Sequence, residues 1–190
     1  IDLLFLKGLP VGKLGYGNPL VKMSWDIDLL VAEDSVEQAG VVLGRLGYRS
    51  ASAGRLAAWH RTRKESVWES EGGATVELHT RLADNRAMIP GLGLTSARRD
   101  VVVLPGIILP TLTGDELLAY LAVHGASSAW FRLKWIADFA ALLRGRTAAD
   151  LAELACRMEQ LGAGRAGGQA LLLSHWLFGT PVPPSVSGNR

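Results

Sequence analysis

Residues 23–35 read MSWDIDLLVAEDS, and the six residues Asp26-Ile27-Asp28-Leu29-Leu30-Val31 at the centre decide the fold. Ile27, Leu29, Leu30 and Val31 make a short apolar run of the kind that forms a buried strand. Aspartate is poor strand material, and an ionised carboxylate resists burial unless it is paired or bound to a cation. Two aspartates one residue apart on a strand project from one face, about 7 Å apart, while Ile27 and Leu29 point the other way, into an expected core. Asp26 and Asp28 so placed repel each other unless a cation lies between them. Oxygen-rich sites of one or two carboxylates suit Mg²⁺ or Mn²⁺, with substrate phosphates completing the shell. A solvated strand end without an ion is the plainer alternative. If repulsion dominates, neutralising both aspartates leaves stability equal or higher.

Working outward, "LLFLKG" (3–8) reads as a second buried strand closed by a glycine, and 9–24 as an irregular or partly helical connection. After the central strand, Val36, Ala39, Val42, Leu43 and Leu46 recur at spacings of three and four, with Asp34 or Ser35 as N-cap and Gly47 as C-cap. That pattern predicts a helix. "YRSAS" (48–52) begins an extended segment. "HRTRKESVWES" and "ATVELHTRL", separated by Gly72 and Gly73, predict a β-hairpin. Residues 83–110 are less regular, with one short strand expected in "DVVVLPGIILP". Beyond Gly114 come four helical segments. The fold class is α+β: a mixed β-sheet with flanking helices over 1–112, a C-terminal helical bundle subdomain over 113–180, and a flexible tail, 181–190.

Composition sets limits on function. With 190 residues, 48 % hydrophobic and 20 % charged, the chain supports one sizeable domain or a domain with a small appendage, and global disorder is excluded. A net charge of +2 is too small to imply a nucleic-acid binder, so RNA is the disfavoured partner. The single Cys156 allows no internal disulfide, fits a reducing cytoplasm, and is expected to be a small core residue. No apolar run reaches the roughly 20 residues needed to cross a bilayer, and no secretory leader is visible. The chain begins inside a strand without an initiator Met, so upstream residues are expected.

A third acid strengthens the cation reading. In "TVELH", Glu77 lies between Val76 and Leu78, again a carboxylate between apolar strand neighbours. If that strand lies beside the first, three carboxylates meet on one face and can hold divalent ions that orient a triphosphate and activate an attacking oxygen. His79, two residues on, shares the face of Glu77. In the helical half, Lys134 and Asp138 stand at i and i+4, the spacing of a surface ion pair, while Arg132 or Lys134 facing a cleft would neutralise phosphate charge. Phe131, Trp135 and Phe139, at i, i+4 and i+8, read as core before they read as a base-stacking platform.

The ordered set "LKG", "DIDLLV", a helix ending in "LGY", and "VELH" resembles the nucleotidyltransferase superfamily related to polymerase beta. More narrowly, it resembles a bacterial group of largely uncharacterised nucleotidyltransferases in which an "LKG" strand precedes "DIDLLV". The pattern from His124 through Trp130, Arg132, Lys134 and Trp135 to Asp138 belongs to the same group, so the resemblance covers residues 3 to 145 or so. It implies that Asp26 and Asp28 are the metal-binding Asp-x-Asp, with Glu77 the third catalytic carboxylate. Gly8 is then the glycine of the phosphate loop, where backbone approaches the triphosphate. Lys7 and Lys134 become candidate nucleotide-binding groups; His79, His124, Arg132 and Asp138 become accessory candidates. The implied reaction moves a nucleoside monophosphate from an NTP to a small molecule, a peptide or protein, or an RNA end, releasing pyrophosphate. Mg²⁺ or Mn²⁺ is the implied cofactor, ATP one candidate donor, and no membrane partner is expected.

The chain departs from the superfamily at one point: the usual Gly-Gly or Gly-Ser of the loop is Lys7-Gly8 here. Trp25, beside Asp26, is expected either to pack on a base or to cap the core. The changed loop motivates the alternative of a catalytically silent relative that binds a nucleotide or partner protein. An unrelated metal-dependent phosphohydrolase is a third reading, marked by orthophosphate as product.

Overall fold

The computed structural model describes residues 1–21 and 26–183. Strands β1 (Leu3–Phe5), β2 (Asp26–Val31), β3 (Glu65–Glu69) and β4 (Thr75–His79) form a mixed sheet in the order β1-β2-β4-β3. The two inner strands are parallel, and each outer strand runs antiparallel to its neighbour. Parallel pairing of β2 with β4 requires a crossover, supplied by helices α2 (Val36–Arg45) and α3 (Leu56–Thr62) and then β3. The β3–β4 turn contains Gly73 at φ 79°, where a side chain would be strained.

Each face of the sheet has its own apolar cover. One face buries Val31, Trp68, Val76 and Leu78 beneath Val36, Ala39 and Leu43 of α2 and Leu56 of α3. The other contributes Leu4 and Leu30 to a larger core with the helices α4 (Gly114–Ser127), α5 (Leu133–Leu142), α6 (Ala148–Gln160) and α7 (Gly164–Phe178). Every residue from Leu117 to Val123 is buried, so α4 is the central helix of that layer. Helix α1 (Leu9–Tyr16) follows β1 directly and packs against α5. A two-stranded hairpin of β5 (Arg98–Leu104) and β6 (Ile107–Leu112) leads into α4. Among the described residues no helix is long and apolar enough to cross a membrane.

Several local expectations need correction. Residues His60–Thr62 belong to α3, not to the first hairpin arm, because Leu56 and His60 are buried at i and i+4 on one helical face. The segment "DVVVLPGIILP" lies within two strands, folded back at Gly106 with φ 76°. On α2, Val42 and Leu46 are exposed, and Gly40 joins Val36, Ala39 and Leu43 on the inner face. Ile27 is also exposed, since α2 and α3 cover the sheet beside Leu29 and Val31 but not the start of β2. Cys156 is exposed because Leu151, Leu154 and Met158 set the inner face of α6. Trp25 and residues 184–190 lie outside the described residues.

Candidate active site

Register brings the acids together. Across the parallel ladder Asp28 stands opposite Glu77, and Leu30 opposite His79. Strand alternation therefore places Asp28, Glu77 and His79 on one face, where one ligand atom from each lies within 4.8 Å of the others. Asp26 precedes Asp28 by two residues on β2 and lines the same cleft. The imidazole was expected only as an accessory, yet it completes the tightest cluster of potential ligands among the described residues.

A lysine holds this cluster. Lys7, between β1 and α1, places Nζ 2.7 Å from Asp28 Oδ1, and His79 Nε2 lies 3.3 Å from the same oxygen and 3.5 Å from Glu77 Oε2. Burial alone would push the Asp28 carboxyl up. The hydrogen bond from His79 and the charge of Lys7 outweigh it and hold Asp28 well below the usual carboxylate range. His79 is opposed by burial as well, but its hydrogen bonds to Asp28 and Glu77 raise it above an ordinary imidazole. Burial likewise disfavours charge on Lys7, which the Tyr120 phenol and Asp28 carboxylate override. Tyr120 is itself pushed above its ordinary value by burial, so at neutral pH it is uncharged and Asp28 is the partner that counts. This overturns the expectation of simple repulsion: Asp28 is a buried, paired acid, and neutralising it takes the counter-charge from Lys7 and the acceptor from His79.

Gly8 sits at φ 71°, ψ −127°, a conformation that disfavours any side chain, and caps the N-terminus of α1 through the bond from Gly12 N to its carbonyl oxygen (2.9 Å). Its buried backbone lines the cleft beside Lys7 and the acids. The cleft holds about 400 Å³ and is closed on its far side by α4 and α5, through His124, Arg132, Lys134, Trp135 and Asp138. All ten residues singled out from the sequence thus lie in or directly beside one cavity.

One of them, and part of the aromatic series beside it, differs in character from expectation. Asp138 is buried and accepts a hydrogen bond from Tyr16 Oη on α1 at 3.2 Å, so it is not a solvated surface acid; burial and this carboxylate push the phenol up to about 12. Of the presumed aromatic core at Phe131, Trp135 and Phe139, only Phe139 is fully buried; Phe131, in the turn before α5, is 70 % exposed, and both it and Trp135 line the cleft. Glu65 was not singled out. Its Oε2 lies 3.3 Å from His79 Nδ1, yet outside hydrogen-bond geometry, so that nitrogen is buried without a hydrogen-bond partner among the described residues. Hairpin parity was the available signal, since Glu65 pairs with His79 across β3–β4.

His124 makes ring contacts with Tyr120 and, edge-on at 4.9 Å, with Trp135; burial pushes its pKa down to about 3. An imidazole with a lowered folded pKa binds its proton better when unfolded. Stability should therefore fall as pH drops from about 6.5, at up to about 1.4 kcal/mol per pH unit for this group. We expect His124→Gln to flatten that slope between pH 6.5 and 4. Chemical denaturation of both proteins across this range checks it, and parallel curves would contradict it.

Two carboxylates and the Nε2 of an imidazole converge within 4.8 Å, and the carboxylate oxygens are donors that Mg²⁺ or Mn²⁺ can use. A mixed sheet with acids on its two inner strands, a glycine-ended loop beside them and a helical wall opposite is the architecture of a nucleotidyltransferase. The solution structure of the antibiotic-resistance factor ANT(2'')-Ia is similar in fold, with a TM-score of 0.57 at 14 % identity over 92 % of this chain and 87 % of that one. A crystal structure of an antigenic nucleotidyltransferase-like protein from Paracoccidioides brasiliensis aligns over 99 % of this chain and 89 % of that one, at 13 % identity and a TM-score of 0.48. No curated protein matches. The profile of a family described as uncharacterised nucleotidyltransferase matches residues 1–179, and the chain belongs to that family.

Proposed function

We propose that this nucleotidyltransferase is metal-dependent, moving a nucleoside monophosphate from an NTP to an acceptor that is a small molecule, a peptide or protein, or, least favoured, an RNA end. The acceptor oxygen forms a bond to the α-phosphorus, the bond to pyrophosphate breaks, and the acceptor's proton leaves to a carboxylate or to water. The observation that carries this is the register pair Asp28–Glu77, which sets two carboxylates and His79 on one face beside the Gly8 backbone. Asp28, Glu77 and His79, flanked by Asp26, would hold Mg²⁺ or Mn²⁺, which when bound offsets triphosphate charge and activates the attacking oxygen. Gly8 lets backbone approach the phosphates closely, as a side chain at φ 71° would not. Lys7, once released from Asp28, and Arg132 and Lys134 across the cleft supply positive charge to the phosphates and the departing pyrophosphate. In this reading Glu77, less buried than Asp28, accepts the acceptor's proton. A cytoplasmic setting, where nucleotides are abundant and a lone thiol stays reduced, belongs to the same proposal.

One observation favours the silent alternative. The Lys7 ammonium lies against Asp28 Oδ1, where a cation would otherwise bind. Pyrophosphate release from each of the four NTPs with Mg²⁺ or Mn²⁺ separates the two readings. Release that depends on metal supports transfer; tight nucleotide binding with no release supports a silent binder, and orthophosphate as product would indicate hydrolysis.

A further inference from the structure

The turn between α4 and α5 carries backbone strain. Ala129 and Trp130 both sit in the left-handed region, at φ 49° and 52°, where neither residue type is at ease. Trp130 N bonds back to Gly125 O at 2.9 Å, a helix-ending geometry that glycine ordinarily serves. The tryptophan is held there by its ring. Gly125 leaves the space the indole fills, and Trp130 Nε1 donates to Gln169 Oε1 of α7 at 3.1 Å. With Trp130 turned inward, the next residue turns outward. Phe131 is 70 % exposed at the cleft, its ring edge-on to Trp135 at 4.7 Å. The Arg132 guanidinium lies 5.2 Å from the Phe131 ring centroid and 5.8 Å from that of Trp135.

A single exposed phenylalanine is ordinary. An exposed phenylalanine, a half-buried tryptophan and an arginine stacked over both, on the wall facing the phosphate-side groups of the same cavity, form a surface suited to a flat, polar ring. Aromatic faces and guanidinium planes hold nucleobases by stacking, with little dependence on a base's hydrogen-bonding edge. Resting on the triphosphate reading above, we propose that Phe131, Arg132 and Trp135 form the nucleobase subsite of the donor nucleotide, held open by Trp130. A platform of this kind reads ring area more than hydrogen-bond pattern, so purine NTPs bind more tightly than pyrimidine NTPs.

Equilibrium binding with Mn²⁺, using ATP, CTP and inorganic tripolyphosphate as probes, tests this. Phe131→Ala is expected to weaken ATP about tenfold or more and CTP less, while tripolyphosphate changes by less than about twofold. Phe131→Tyr is expected to restore ATP binding. Leu133→Ala, which trims a neighbouring exposed apolar residue outside the cleft wall, should change nothing. Wild-type protein that binds tripolyphosphate as tightly as ATP would overturn the stacking proposal and leave the phosphate site standing. So would equal loss of ATP and tripolyphosphate in Phe131→Ala, or loss of neither. Wild-type protein that binds none of the three would overturn the triphosphate reading together with this one.

Discussion

Asp28→Asn should abolish metal-dependent nucleotide binding, by a hundredfold or more, and should also destabilise the metal-free protein by about 2–3 kcal/mol. Both effects come from one oxygen pair. Asn keeps the shape of the side chain but cannot supply the charge that a divalent cation needs. In the metal-free protein it leaves Lys7 Nζ and His79 Nε2, at 2.7 and 3.3 Å, facing a neutral amide in a site where Asp28 is 4 % exposed. The sign with pH follows. The stability Asp28 contributes is present above the ordinary aspartate pKa of about 3.9 and fades as pH falls through its depressed folded value, so wild type and variant should converge in acid. Denaturant unfolding in the presence of a chelator reads the stability, and Mn²⁺ titration reads the binding. A variant as stable as wild type at pH 7 would restore the repulsion picture drawn from the sequence alone.

Gly125→Ala is expected to lose about 2 kcal/mol, although alanine is the better helix former by about 1 kcal/mol. A methyl group there would meet three atoms of the Trp130 ring at 2.2–2.4 Å, and that ring is fixed by Gln169 and cannot withdraw without opening the turn. For a chain of this size the loss corresponds to a fall in Tm of roughly 4–8 °C. Phe131 and Arg132 would be displaced with the turn, so nucleotide affinity should fall as well. Gly44→Ala is the control. That glycine, near the end of α2, has nothing within 4 Å of an added methyl, and the substitution should be neutral or stabilising by up to about 1 kcal/mol. Equal Tm changes in the two variants would show that the indole does not fix the turn.

The central features were legible because they follow period-two chemistry. Asp26, Asp28 and Glu77 announced themselves as carboxylates in apolar strands; alternation gave one face to Asp26 and Asp28 and one to Glu77 and His79, and the pairing of β2 with β4 joins the two. Lys7 was legible as a residue near the site but not as the partner of Asp28, because that contact depends on where β1 ends relative to β2. The all-helical half was read as four segments beyond Gly114, yet Phe131 and Trp135 were misplaced into the core. Helical spacing begins only at Leu133, and the turn before it is set by Trp130 entering the space over Gly125, a tertiary event with no local pattern. Helix α3 was missed for a similar reason: its seven residues carry one inner Leu and one inner His, too few to show a period against the strand that follows.

Anomalous scattering from crystals soaked with Mn²⁺ and a non-hydrolysable NTP tests the central claim most directly. If the acids of β2 and β4 hold the cation, a manganese peak lies about 2.1 Å from carboxylate oxygens of both Asp28 and Glu77, with the triphosphate beside Gly8 and Lys7 drawn off Asp28 toward a phosphate. A nucleotide bound in the cleft with the Lys7–Asp28 pair intact and no manganese between β2 and β4 would contradict it.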